Sequence, residues 1–247
     1  MSAFLLKSIA IVAMLIDHLA FALDGLIFFE STFALRAVGR IAFPIFAYFV
    51  GEGFRHTKNV NRYLMRLGAF ALLSEIPFDM LFRNAGNVAK YGFGEGFVFL
   101  EFSHQNVFFT LFLGVLAAHL LKIGADRPIT YVLAPMPIIL GDALNTDFGS
   151  LGVLMVFACA VISWGKAYRL VALFLGGIAM FYPFYVFSPA YAYMLMAGYA
   201  SALALLLCYN GKRGRSGRFV QWVFYLFYPI HLLGILGILW LIISILR

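Results

Sequence analysis

Asp17 and His18 stand near the middle of an apolar stretch running from about Phe4 to Phe29 (FLLKSIAIVAMLIDHLAFALDGLIFF). An acid at mid-bilayer costs roughly 2.5 to 3.5 kcal/mol on insertion scales unless it is paired or hydrated. A segment that serves only as an anchor has no use for an acid beside an imidazole, so the pair marks a functional site inside the membrane. An imidazole titrates near neutrality and can act as a general base, a proton carrier or a nucleophile. Other ionisable groups interrupt apolar runs in the same way: Arg40 in RIAFPIF, Glu75 and Asp79 in SEIPFDM, Asp142 in GDALNTD and His231 in FYLFYPIH.

These groups share a depth. At about 1.5 Å of rise per helical residue, His18 lies roughly 16 Å from Lys7, and Glu75 and Asp79 roughly 14 and 20 Å from Arg66. On the same measure Asp142 is about 22 Å from Arg127, His231 about 20 Å from Arg218 and Arg40 about 22 Å from Arg55. Groups from five different spans in one layer are what a shared polar cavity requires. Helical phase places Lys7, Ile11, Leu15 and His18 on one stripe, with Asp17 turned about 100° away. Adjacent helical residues do not face each other. The partner that orients His18 is therefore expected on another helix, with Asp142, Asp79 and Glu75 as the carboxylate candidates. Arg40 reads as a cavity-lining cation; its structural alternative is an ion pair with Asp79 or Glu75. For His231, behind Pro229, function and plain structural pairing stay open. Asp142 reads as cavity-lining and Asp147 as the cap of the helix that follows.

The elements that carry these residues are transmembrane helices. The chain is 64% hydrophobic and 12% charged, with a mean hydropathy of +0.94, against about 25% charged in soluble domains. Apolar runs recur at the length that crosses roughly 30 Å of hydrocarbon. The reading is an all-α, polytopic transmembrane helix bundle in one domain, residues 1–247. About nine spans (eight to ten) are expected, near 8–29, 34–53, 63–82, 105–122, 128–145, 149–164, 169–187, 189–209 and 221–245. Pro135 and Pro137 make the fifth the least regular, and Pro183 and Pro189 can kink or end the seventh and eighth. No small-residue cleavage site follows the first run, which reads as a retained helix.

The net charge of +7 is distributed by topology rather than for nucleic acid. Lys7, then Arg55, Lys58, Arg62 and Arg66, then Lys122 and Arg127, then Lys166 and Arg169, then Lys212, Arg213, Arg215 and Arg218 fall on one face. Arg36, Arg40, Arg83, Lys90 and Arg247 fall on the other. The richer face is cytoplasmic by the positive-inside rule, which places the N-terminus inside. The longest external loop, about 83–104, carries Gly92, Gly94 and Gly96 but follows no strand, which excludes a dinucleotide-binding fingerprint. It reads as a cover for a substrate entrance or as a plain connector. No metal is expected, because no HExxH or close His pair supplies converging ligands. Cys159 and Cys208 sit in apolar runs without CxxC spacing. A serine nucleophile lacks its elbow motif, with Ser74 beside Glu75 as the one weak candidate.

Six segments in order carry a resemblance to a known family: LKSIAIVAMLIDH (6–18), GRIAFPIFAYFVGEGFRHTKN (39–59), RYLMRLGAFALLSEIPFDMLF (62–82), NVFFTLFLG (106–114), GDALNTDFGSLGVL (141–154) and FYLFYPIHLLGIL (224–236). Together they resemble the TraX family of integral membrane proteins, named for the pilin acetylase of conjugative plasmids and similar to the wider group of transmembrane acyltransferases. The resemblance implies a bacterial inner-membrane acetyltransferase that uses acetyl-CoA as co-substrate. The implied acceptor is an amine or hydroxyl on an exported peptide, a pilin-like protein or a glycan at the outer side. It also implies that His18 is the functional histidine of an early helix, with Lys7 at the basic position before it.

On this reading His18 acts as base or takes the acetyl group, and Arg40 or Asn106 stabilises the oxyanion. Asp142 or Asp79 orients an imidazole, either His18 or His231, with Asp17 in the same catalytic group. Lys7, Arg55 and Lys58 meet the CoA phosphates, and Glu75, Asp79 and Asn106 line the substrate path. Two rival classes remain: a proton-coupled secondary transporter, whose relay would use the same buried groups, and a non-catalytic assembly factor for exported proteins, indifferent to acetyl-CoA.

Overall fold

The computed structural model describes residues 1–24, 29–84, 97–124 and 126–246. Lys90, Gly92, Gly94, Gly96 and Arg247 lie outside the described residues. Among those described, the regular structure is helical, with one isolated backbone bridge between Gln105 and Thr146. The helices are α1 (Ala3–Ala22), α2 (Phe29–Gly39), α3 (Ala42–His56), α4 (Val60–Phe82), α5 (Val107–Ile123), α6 (Ile129–Leu133), α7 (Met136–Ala143), α8 (Gly149–Val161), α9 (Lys166–Phe187), α10 (Pro189–Leu207) and α11 (Arg218–Leu246).

Among the described residues, five stretches are long and apolar enough to cross a membrane: Ala3–Ala22, Ser31–His56, Lys166–Phe187, Pro189–Leu207 and Arg218–Ile245. Shorter apolar helices cover Val107–Ile123, Ile129–Ala143 and Gly149–Val161. The chain is a multi-pass membrane protein. Proline explains the division of the expected fifth span. The run 128–145 is divided into α6 and α7, with Pro135 opening the second piece, since proline suits a helix start but cannot donate within one. Pro189 opens α10 for the same reason, whereas Pro183 is carried inside α9.

The fold divides into two compact units. The first comprises Met1–Phe43, Ser74–Glu101 and Phe184–Arg247; the second comprises Pro44–Leu73 and Phe102–Pro183.

In the first unit α1 packs against α2 and α11, and α2 also packs against α10. The buried face of α1 is built from small residues, Ala10, Ala13 and Ala20, which let neighbouring backbones approach. Gly39 shows how tight that approach is: a Cβ there would stand 2.2 Å from the Cβ of Asp17. From α11, Leu232, Ile235 and Leu239 fill the same core.

In the second unit α5 packs on α8, and α7 packs on both. Val115, Val153, Val156 and Cys159 are buried there. Near the end of α3, Glu52 pairs with Arg169, whose guanidinium also lies over the Tyr48 ring, 4.8 Å from its centroid.

Candidate active site

His18 and His231 meet in the first unit. The two residues are 213 positions apart in the chain, and their side chains are buried, with His18 Nδ1 2.7 Å from His231 Nε2. The rings are nearly coplanar, 12° apart with centroids separated by 4.9 Å. Parallel faces in van der Waals contact would lie closer, so the short N···N distance belongs to an in-plane hydrogen bond. The neighbouring helices α1 and α11 supply one imidazole each.

The direction of that bond follows from the next one. His231 Nδ1 lies 2.8 Å from the carbonyl oxygen of Phe227, one turn earlier on α11. A carbonyl only accepts, so His231 Nδ1 carries the proton. In a neutral imidazole the other nitrogen is then an acceptor, so His231 Nε2 receives a proton donated by His18 Nδ1. This leaves the Nε2 of neutral His18 with a free lone pair. The arrangement is a relay: His18 Nε2 as base, His18 Nδ1–H donating to His231, and His231 Nδ1–H donating to a backbone carbonyl. Aromatic rings wall it in. Phe82 meets the His18 ring edge-on at 5.2 Å, Tyr228 stands 6.1 Å from it, and Phe227 lies parallel to His231 at 4.8 Å. Pro229 precedes His231 by two residues and withholds one backbone donor from the same turn of α11.

Asp17 turns away from His18, as the helical phase predicts, and is held by arginines. Arg40 Nη2 donates to Asp17 Oδ2 at 2.6 Å, and Arg36 approaches Asp17 Oδ1 at 3.9 Å. Arg40 also donates from Nε to the Arg36 carbonyl. A partner of Arg40 is thus Asp17, on the adjacent helix α1. The reason is helix packing: α2 ends on α1, and Gly39 removes the side chain that would hold the two helices apart.

Two further carboxylates of the first unit are buried: Glu75 at 3% exposure and Asp79 at 0%. Asp79 Oδ2 accepts the backbone N–H of Glu101 at 2.6 Å, and Arg83 pairs with Glu101 at 2.9 Å. Asn84 accepts the N–H of Val98 and donates to its carbonyl. Asp79, Arg83 and Asn84 therefore tie the end of α4 to residues 98–101. The sequence reading did not single out Asn84; its signal is a buried amide just past a helix end.

The other candidates, Lys7 apart, belong to the second unit. Asp142 takes the capping contact expected of Asp147. Asp142 is exposed and accepts the N–H of Ser150 at 2.7 Å at the start of α8, while Asp147 lies 3.7 Å from His104. The chain turns back at Gly149, with φ +55°, which brings that amide to Asp142. Asn106 is the N-cap of α5: its oxygen accepts from Phe108 and its amide donates to the Ala71 carbonyl. Arg55 donates to the Ile162 carbonyl at 2.7 Å, and Lys58 is exposed. Of the basic residues assigned to substrate, Lys7 alone lies in the unit that holds the histidine couple.

A family model described as "TraX protein" matches residues 2–241. The chain belongs to the TraX family. A relative of this TraX family member is 36% identical over 172 residues, the "Probable fimbrial assembly protein FimC, serogroup H1" of Dichelobacter nodosus. The aligned stretch covers 66% of this chain and 57% of that protein. No solved structure matches this TraX family member. The match contains both His18 and His231, as well as Asp17 and Arg40.

Proposed function

We propose that this TraX family member is a membrane acetyltransferase. It takes acetyl from cytoplasmic acetyl-CoA and delivers it to an amine or hydroxyl of an exported peptide, pilin-like protein or glycan at the outer side of a bacterial inner membrane. The observation that carries the reading is the histidine couple, whose hydrogen bonds leave His18 Nε2 as a free base within an apolar, aromatic enclosure. The family name is tied to pilin acetylation, and the fimbrial assembly relative favours a pilin-type acceptor.

In the proposed reaction the acceptor nitrogen or oxygen attacks the thioester carbonyl while its proton passes to His18 Nε2. The positive charge on His18 is then stabilised by the Nδ1–H···Nε2 bond to His231. When the tetrahedral intermediate collapses, the C–S bond breaks and the His18 proton goes to the departing thiolate. The products are an acetylated acceptor and free CoA, with both imidazoles returned to their starting state.

The test is acetyl-CoA turnover by purified protein in detergent. His18→Ala is expected to lower turnover by about 10²- to 10⁴-fold with donor binding retained. His231→Phe, which keeps a ring but no acceptor, is expected to lower kcat by about tenfold or more while KM holds, since only the charged state needs the second imidazole. Unchanged turnover in His18→Ala removes the histidine from the chemistry. Absence of donor binding by folded wild type favours the transporter or assembly-factor class instead.

A further inference from the structure

We infer that the segment Cys208–Arg218, locked to the first residues of the chain, forms a site for phosphate esters where α1 and α11, the helices that carry the histidines, both begin. The proposal rests on the acetyltransferase reading only in naming the nucleotide end of the donor as occupant.

The first argument is the counter-ion balance. Lys212, Arg213, Arg215 and Arg218 are exposed, and among the described residues no carboxylate pairs with any of them. Asp147 is the last acidic residue of the chain, and Asp17 is the first. The segments that meet at this end therefore bring cations and no side-chain anion. Arg213 stands close enough to Lys7 for their charges to repel, a cost that an anionic ligand removes.

The second argument is that the segment is built, not loose. Ala3 and Phe4, at the start of α1, donate their backbone N–H groups to the carbonyls of Lys212 and Arg213 at 2.9 and 3.0 Å. Asn210 donates to the Met1 carbonyl at 3.0 Å, and the terminal ammonium of Met1 donates to the Cys208 carbonyl. Amides that a helix start would otherwise leave unpaired thus fix the basic segment. Gly214, at φ +72°, makes the fit possible, because a Cβ there would stand 2.6 Å from Ser2 Oγ. Backbone needs are met by backbone, which leaves the arginine forks for a ligand. Bidentate guanidinium contacts are the strong form of phosphate recognition.

The third argument is reach. His231 lies thirteen residues beyond Arg218 on α11, about 20 Å along the helix, and His18 lies fifteen beyond Ala3 on α1, about 22 Å. The pantetheine arm of coenzyme A has that order of length. A diphosphate held at Arg213 and Arg215 would direct it along the packed pair α1 and α11. A phospholipid headgroup offers the same phosphate-ester chemistry, and the experiment separates the two.

Binding of coenzyme A, of adenosine 3′,5′-bisphosphate and of phosphatidylglycerol in nanodiscs is measured for wild type, Arg213→Gln/Arg215→Gln, and Arg127→Gln as a basic control in the second unit. Arg213→Lys/Arg215→Lys keeps the charge that orients the chain but not the bidentate fork. The expected result is a loss of about tenfold or more in affinity for both nucleotides in the Gln pair, a smaller loss in the Lys pair, and none in the control. Nucleotide affinity unchanged in the Gln pair, with wild type binding coenzyme A, overturns the site and leaves the acetyltransferase reading intact. Loss of phosphatidylglycerol in the Gln pair, with no nucleotide bound by wild type, keeps the phosphate-ester site as a lipid site and overturns the donor. No phosphate ligand bound by folded wild type overturns both.

Discussion

At the scale of single residues, Asp17 and His18 divide the work that their adjacency suggests they share. His18 faces His231, while Asp17 faces two guanidinium groups, so the acid serves the join between α1 and α2. Removing one member of a buried ion pair costs more than the pair itself contributes, because the other charge stays behind without compensation. Asp17→Asn is expected to destabilise the folded protein by about 3 kcal/mol, read as a lowered Tm in detergent. Adding Arg40→Gln to that variant removes the orphaned cation and is expected to restore part of the loss. Additive losses in the double variant would show that the two side chains are not coupled, and the pair would then have no role in joining the helices.

At the scale of elements, what the sequence discloses depends on whether the deciding interaction is local. Helix existence, the proline-started helices and the burial of His18, Glu75, Asp79 and His231 follow from apolar runs and polar interruptions, which are local signals. Partner choice is not local. Nothing in the depth of His18 distinguishes His231 from Asp79, since that choice is made by α11 packing on α1. The same holds for Arg40, where a glycine at the end of α2 decides the matter. Asp147, just before α8, reads as its cap, yet the turn at Gly149 gives the Ser150 amide to Asp142 five residues earlier. Glycine also supplies an element-scale prediction. Gly39→Ala forces a methyl into the Asp17 side chain and is expected to lower the yield of folded protein, whereas Gly234→Ala and Gly237→Ala meet open space on α11. Those two should be neutral, or stabilising by about 0.5 to 1 kcal/mol each, through helix propensity. A melting curve for each variant checks the contrast. Loss of stability at Gly234 or Gly237 would mean that this face of α11 is covered by another chain.

At the scale of the whole molecule, the proposed chemistry needs a donor from one side of the membrane and an acceptor on the other, so orientation is part of the mechanism. Basic residues set orientation when they flank spans closely, and Lys212, Arg213, Arg215 and Arg218 follow α10 directly. The chain carries its own reporter there. Cys208 caps the end of α10 and is exposed, while Cys159 is buried in α8. A membrane-impermeant maleimide should label the native protein at Cys208 in inverted vesicles and leave it unlabelled in intact spheroplasts. Cys159 should react only after denaturation, because a thiol reacts when it is reachable. Labelling of Cys208 from the outside would invert the chain, put the basic clamp on the face without acetyl-CoA, and remove the donor from the proposed reaction. Labelling from the inside places the clamp and the donor pool on one side. The tie between the end of α4 and residues 98–101 would then lie where an exported acceptor arrives.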